Sequence, residues 1–291
     1  MTIAVPAYRY QAGVARILSS LPLGDPRIEV IIGDDTPDGS LEAWFRGPAA
    51  SRFAPHLAYH RNIPSLGAVP NWNDLIGRAA GRYIWLLHHD ECPVDAKAVK
   101  KLLALLCEIP VLDAVLLDCV QVLRASGINR RHMPNWMRAL VVKKMPQFLM
   151  RRNVIGSPSA IVLHREIYEK YDESLVWLVD VELFIRVLAK AKRVFIANDV
   201  TLLSFPLKLS ITASIRSDIR RIKRRELAAI AKAGCMSPRW MMMTTMIVPL
   251  EAVLWKLLRV ALRFPSWLGV SSLPRKTARD AWWRGLNGQS D

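Results

Sequence analysis

Two acidic pairs carry the clearest chemistry in this chain. The first closes the apolar run Tyr83-Ile84-Trp85-Leu86-Leu87, which passes through His88 and His89 to Asp90 and Glu91. A buried strand that delivers adjacent carboxylates at its C-terminal end can hold a divalent cation against a phosphate, and hard oxygen ligands suit Mg²⁺ or Mn²⁺. The second pair is Asp180 and Glu182, about ninety residues downstream and therefore on another element. A cation site together with a separate carboxylate able to act as base is the minimum equipment of a transferase. A zinc site built on His88-His89-Asp90-Glu91 is disfavoured, because neighbouring side chains on an extended chain point to opposite faces.

The segments upstream must position the first pair. Strands are expected within Thr2–Arg9, where a proline breaks the run, and at Ile28–Ile32, Leu57–His60 and Tyr83–Leu87, alternating with helices at Ala12–Leu21, Ser40–Phe45 and Asn71–Ala80. Such alternation predicts an α/β fold, a mostly parallel sheet flanked by helices, with ligands at the carboxyl ends of the strands. Asp34-Asp35, Arg61 and Asp90-Glu91 all fall at those ends.

Residues 1 to about 200 resemble family 2 inverting glycosyltransferases of the GT-A fold. The resemblance rests on Ala4-Val5-Pro6-Ala7-Tyr8, Gly33-Asp34-Asp35, His60-Arg61-Asn62, Asn71 with Asn73, and His88-His89-Asp90-Glu91. It is completed by Gly156-Ser157-Pro158-Ser159 and Asp180-Val181-Glu182-Leu183-Phe184-Ile185-Arg186. It implies a donor site for a UDP- or dTDP-sugar. Pro6, Ala7 and Tyr8 would support base and ribose, Asp35 would bond the pyrimidine beside Asp34, and Arg61 and Asp90 would contact the nucleotide. It further implies that Asp90 and Glu91 bind Mg²⁺ or Mn²⁺, with Glu where the family's motif usually has a second Asp. Asp180 corresponds to the general base, with Glu182 and Arg186 supporting it. Gly156 and Ser157 line the acceptor and donor-sugar side, and Trp177 is placed as a platform for a sugar ring.

Composition separates the C-terminal part. From Phe205 onward there are 16 Lys and Arg against 5 Asp and Glu, a surplus of 11, whereas the first 204 residues hold 25 against 20. The expected division is a catalytic domain over 1–205 and a helical, basic region over 206–291. That region opens on a basic helix candidate, Arg216–Arg225. Its longest uncharged run, Trp240–Leu250, is 11 residues, short of the ~20 that cross a bilayer. Ala252–Phe264 is amphipathic, with Lys256, Arg259 and Arg263 on one face, the pattern of a helix lying on an anionic membrane surface, or of one packed on the catalytic domain or on a partner subunit of a homo-oligomer. A polyprenyl-linked glycan acceptor would place the enzyme at the inner face of the cell membrane.

The apolar stretch Thr2–Tyr8 is too short for a leader, and four cysteines without metal spacing (Cys92, Cys107, Cys119, Cys235) read as reduced cytoplasmic thiols. A sequence pI of about 10.1 raises nucleic acid as a partner. No nucleic-acid motif accompanies it, so none is expected. A nucleotidyltransferase would need a Gly-rich phosphate loop that the N-terminus lacks. A catalytically inactive nucleotide-sugar-binding scaffold is the alternative function, against which the intact Asp90, Glu91 and Asp180 stand. The region Asp118–Arg152 is expected to be an acceptor-side loop.

Overall fold

The computed structural model describes residues 1–122, 129–131, 135–205 and 217–232. The chain divides into two compact units, Met1–Met236 and Ser237–Asp291. The described residues all lie in the first. The expected Trp240–Leu250 and Ala252–Phe264 segments, and Cys235, lie outside the described residues.

The opening strand β1 (Thr2–Ala7) is buried along its whole length. It pairs in parallel with β2 (Glu29–Asp34), which pairs in parallel with β3 (Ala58–Arg61). On the other side β1 takes β4 (Tyr83–Leu86), again in parallel. The apolar, β-branched content of Ile3-Ala4-Val5 and Val30-Ile31-Ile32 suits strands covered on both faces. Helices α1 (Gln11–Ser20), α2 (Ser40–Arg46) and α3 (Ala68–Arg78) form the crossovers. In register, Ala7 lies opposite Asp34, and Asp34 opposite Arg61, so three strands deliver their last residues side by side.

Beyond β4 the sheet becomes mixed. The short β5 (Glu91–Pro93) leads to α4 (Ala96–Glu108), capped by the Asp95 side chain accepting from Ala98 N–H. Then come β6 (Ala114–Val122), β7 (Asn129–Arg131), α5 (Asn135–Lys144), β8 (Ile161–His164), α6 (Val179–Lys190), β9 (Val194–Ser204) and α7 (Ile219–Lys232). The strand order is β3-β2-β1-β4-β8-β6-β9-β5, with β7 on β6. Where the expected loop from Asp118 to Arg152 is described, it is largely regular structure instead: its start continues β6, and α5 occupies 135–144. The near-continuous apolar run Ala114–Val120 explains the strand, because it is buried between β8 and β9. The basic stretch expected as a helix from Arg216 is helical from Ile219 to Lys232, within the first compact unit.

Candidate active site

The chain turns sharply between β4 and β5, with the Glu91 N–H bonded to the His88 carbonyl at 2.9 Å. The extended-chain argument against a shared ligand set for His88, Asp90 and Glu91 therefore does not hold. One ligand atom from each lies within 4.8 Å of the others. Asp90 and Glu91 form no ion pair with Lys or Arg among the described residues. Burial raises the Asp90 carboxyl above its ordinary range. Burial, then the neighbouring Asp90 charge, pushes Glu91 up to about 7, opposed by the hydroxyls of Ser157, Ser159 and Ser204. Burial and then His89 push His88 down to about 3, so its ring is a neutral donor. That ring packs on Trp72 with centroids 4.7 Å apart, and its Nε2 is buried without a hydrogen-bond partner. Two crowded carboxylates and an unused imidazole nitrogen are what a divalent cation would satisfy.

Asp180 sits in the first turn of α6. One oxygen accepts the Val181 N–H at 2.8 Å and the other the Asn153 amide at 3.0 Å. Burial nevertheless lifts its carboxyl to about 7. Asn153 is the residue that sequence reasoning missed. Its Oδ1 accepts from the N–H groups of Ile155 and Gly156, both at 3.0 Å, and its Nδ2 also donates to the Gly156 carbonyl. The turn ends on Gly156 at φ 114°, a conformation that favours glycine. The next residue, Ser157, donates from Oγ to Glu91 at 2.6 Å. One short loop thus ties the α6 carboxylate to the β4–β5 carboxylates. An Asn shortly ahead of a Gly-Ser-Pro stretch is an Asx-turn signal and could have been read as such.

The remaining candidates gather at the carboxyl ends of β1 to β3. Pro6 and Ala7 are buried, Tyr8 is 46% exposed, and the Ala7 carbonyl accepts the Asp35 N–H. Asp34 is consumed by the fold: its oxygens accept from the Thr36 N–H and the Tyr59 hydroxyl. Asp35 holds the loop after β3, accepting from the N–H groups of Leu66 and Gly67 and from the Asn62 amide. Of the roughly four lone-pair sites on a carboxylate, those bonds leave one. Arg61 pairs with Glu42 at 2.6 Å and donates to the Pro37 carbonyl. Asn71 bonds the Gly33 carbonyl, and Asn73 clamps Tyr171 through its backbone, fixing the approach to α6. Glu182 is buried in a two-bond pair with Arg186, which also reaches Glu169. Trp177 is half-buried, and its backbone N–H bonds Glu226.

Comparison with known proteins decides the family. The profile of Glycosyl transferase family 2 matches residues 2–172, more than half of the chain. The chain belongs to glycosyl transferase family 2. A search of curated proteins returned no match. Among solved structures, TarS 1–349 from S. aureus in complex with UDP-GlcNAc is similar at a TM-score of 0.57 and 14% identity, covering 73% of this chain and 60% of that one. The same fragment with UDP gives 0.53 at 14% identity, covering 71% and 60%. The mannosyltransferase PcManGT from Pyrobaculum calidifontis, in complex with GDP-Man and Mn²⁺, gives 0.55 at 16% identity, covering 99% and 80%. These likenesses establish a shared GT-A fold, and this chain spans about 60% of the TarS fragment. The family 2 match ends at residue 172, so Asp180 and α6 lie beyond it.

Proposed function

We propose that this family 2 member is an inverting glycosyltransferase. It takes a sugar from a nucleotide diphosphate, UDP- or dTDP-linked, to a hydroxyl of a glycan acceptor carried on a polyprenyl lipid, in cell-surface polysaccharide synthesis. The observation that carries the reading is the Asn153–Ser157 loop, which bonds Asp180 at one end and Glu91 at the other. A base and a diphosphate-facing carboxylate pair, held by one hydrogen-bonded loop, are what a single displacement requires.

In that displacement the acceptor oxygen bonds to the anomeric carbon while the bond from that carbon to the diphosphate oxygen breaks. Attack from the opposite face inverts the centre. Asp180 accepts the hydroxyl proton, a contribution typically worth ~10²–10⁴-fold. Its carboxyl, raised by burial to about 7, is basic enough to take that proton near neutrality. Asn153 fixes the orientation of the receiving oxygens. Asp90 and Glu91 would hold Mg²⁺ or Mn²⁺, with the His88 ring within reach. A bound cation supplies neutralisation of charge developing on the leaving diphosphate. Tyr8, exposed at the end of β1, offers a face for the base, and the Trp177 ring one for a sugar.

The basic composition beyond Phe205 supports peripheral attachment to an anionic inner membrane surface, where a lipid-linked acceptor is presented. Among the described residues no helix is long and apolar enough to cross a membrane.

A thermal-shift screen of UDP, dTDP and GDP, each with and without Mn²⁺, tests the reading. Stabilisation by a pyrimidine diphosphate that needs Mn²⁺ is expected. A response to none of them would sink the donor site.

A further inference from the structure

Helix α7, Ile219–Lys232, carries six Lys and Arg and a single acid, Glu226. That acid points inward. Glu226 is 2% exposed, and with Ile230 it is one of two buried residues of the helix. It meets no Lys or Arg within ion-pair distance among the described residues. Its two oxygens instead accept three successive backbone N–H groups. Oε1 takes Val176 at 2.7 Å and Trp177 at 3.2 Å, and Oε2 takes Trp177 at 3.1 Å and Leu178 at 2.8 Å. Consecutive amides converging on one anion form a nest, and these lead directly into the positive end of α6.

The next carboxylate along the chain is Asp180, two residues past Leu178. It accepts the Val181 N–H. Two acids therefore divide the amides at the entrance to α6, one from the helix itself and one from α7. Among the described residues Ile230 is the one buried apolar side chain of α7, so the charge-assisted bonds of Glu226 are a main part of its attachment.

We propose that Glu226 is a positioning residue for the transfer step: through this one carboxylate, α7 sets the place of Asp180. The inference rests on the reading of Asp180 as the base. It also makes the basic helix part of the catalytic frame, so that displacement of α7 by anything bound to its outer arginines reaches the base.

The test uses the full chain, wild type against Glu226→Ala, Glu226→Gln and Asp180→Asn. Turnover is read as nucleoside diphosphate released from UDP-N-acetylglucosamine, with dTDP- and GDP-sugars in parallel, water taking the place of the acceptor hydroxyl and giving its proton to Asp180. UDP binding with Mn²⁺ is measured by calorimetry, and backbone exchange by deuterium labelling. Glu226→Ala is expected to lower kcat at least tenfold, with donor KM and UDP stoichiometry within twofold of wild type. The amides of 176–181 should lose protection while those of β1 and β2 keep theirs. Glu226→Gln, which keeps an acceptor oxygen, should recover part of kcat. Unchanged kcat, or a kcat loss matched by an equal loss of UDP-binding sites in both variants, would overturn the proposal. If no sugar nucleotide is turned over, exchange decides, and unaltered protection at 176–181 in Glu226→Ala overturns it. Full activity in Asp180→Asn would refute the base assignment instead. Inactive Asp180→Asn beside unaffected Glu226→Ala would refute only the role of Glu226.

Discussion

At the scale of single residues, the site stores its reactivity as unfavourable charge. Asp180 is raised from the usual carboxylate range to about 7 because burial disfavours its ionised form. If Asp180 is the base, as proposed above, it must be ionised to work, so kcat/KM should rise with pH through an acid limb near 7 and flatten above it, as a pH–rate profile would display. The same shift has a stability consequence of fixed sign. A carboxyl whose folded pKa lies above its unfolded value favours folding below the unfolded value, and that advantage is lost as pH rises toward the folded one. Each pKa unit is worth ~1.4 kcal/mol, so ionised Asp180 costs the fold on the order of a few kcal/mol at pH 8. Asp180→Asn should therefore raise the Tm at pH 8, by less as pH falls below 7, and by almost nothing near pH 4. Transfer should meanwhile drop ~10²–10⁴-fold. A variant that loses activity and Tm together at pH 8 would contradict this account. Ser157 gives a second residue-scale prediction. Its hydroxyl holds an oxygen of Glu91, the proposed metal ligand, at 2.6 Å, and removing a partner that orients a metal ligand typically costs ~10–100-fold in affinity. Ser157→Ala should weaken Mn²⁺ binding by about that factor in an EPR titration, with the unfolding midpoint little changed.

At the scale of elements, what was legible followed from pattern, and what was not followed from tertiary partners. The first four strands and three helices lie within a few residues of their sequence positions, because each is a short apolar run or an amphipathic period closed by Gly, Pro or Asp. Asp34, Arg61 and Ala7 fall side by side for the same reason: parallel register carries strand ends together. The sequence could not reveal that β6 would absorb Asp118, since its partners β8 and β9 come from later in the chain. Nor could it reveal that Asp34 would be spent on Tyr59, or that a tight turn would bring His88 beside Asp90 and Glu91. Packing between elements also sets a testable limit. A Cβ built on Gly33, in β2, would lie 2.4 Å from Asn71 Oδ1 and 2.9 Å from Leu75 Cγ, both on α3. Gly33→Ala should therefore push α3 off the sheet. Overpacking of this kind costs ~1–3 kcal/mol, visible as a lower urea midpoint with an unchanged slope.

At the scale of the whole molecule, charge and structure draw the domain boundary in different places. Charge density changes at Phe205, where the basic excess begins. Contacts close the first compact unit only at Met236, after α7. Within that stretch Glu226, from the basic region, accepts three amides that lead into α6. A chain ending at Phe205 exchanges those charge-assisted bonds for bonds to water, and hydrogen bonds to a charged group are worth ~1.5–3 kcal/mol. A chain ending at Met236 keeps them. Residues 1–236 should accordingly retain cooperative unfolding and nucleotide binding, while 1–205 should melt lower and bind more weakly. The basic tail offers a separate readout. The full chain should sediment with phosphatidylserine-containing vesicles and not with phosphatidylcholine alone, and added salt should release it, because the attraction is screened. Residues 1–236 keep the arginines of α7 but lose the segment from Ser237 onward. Weaker sedimentation of that shorter chain assigns attachment to the tail, and equal sedimentation assigns it to α7, the helix that also holds the approach to Asp180.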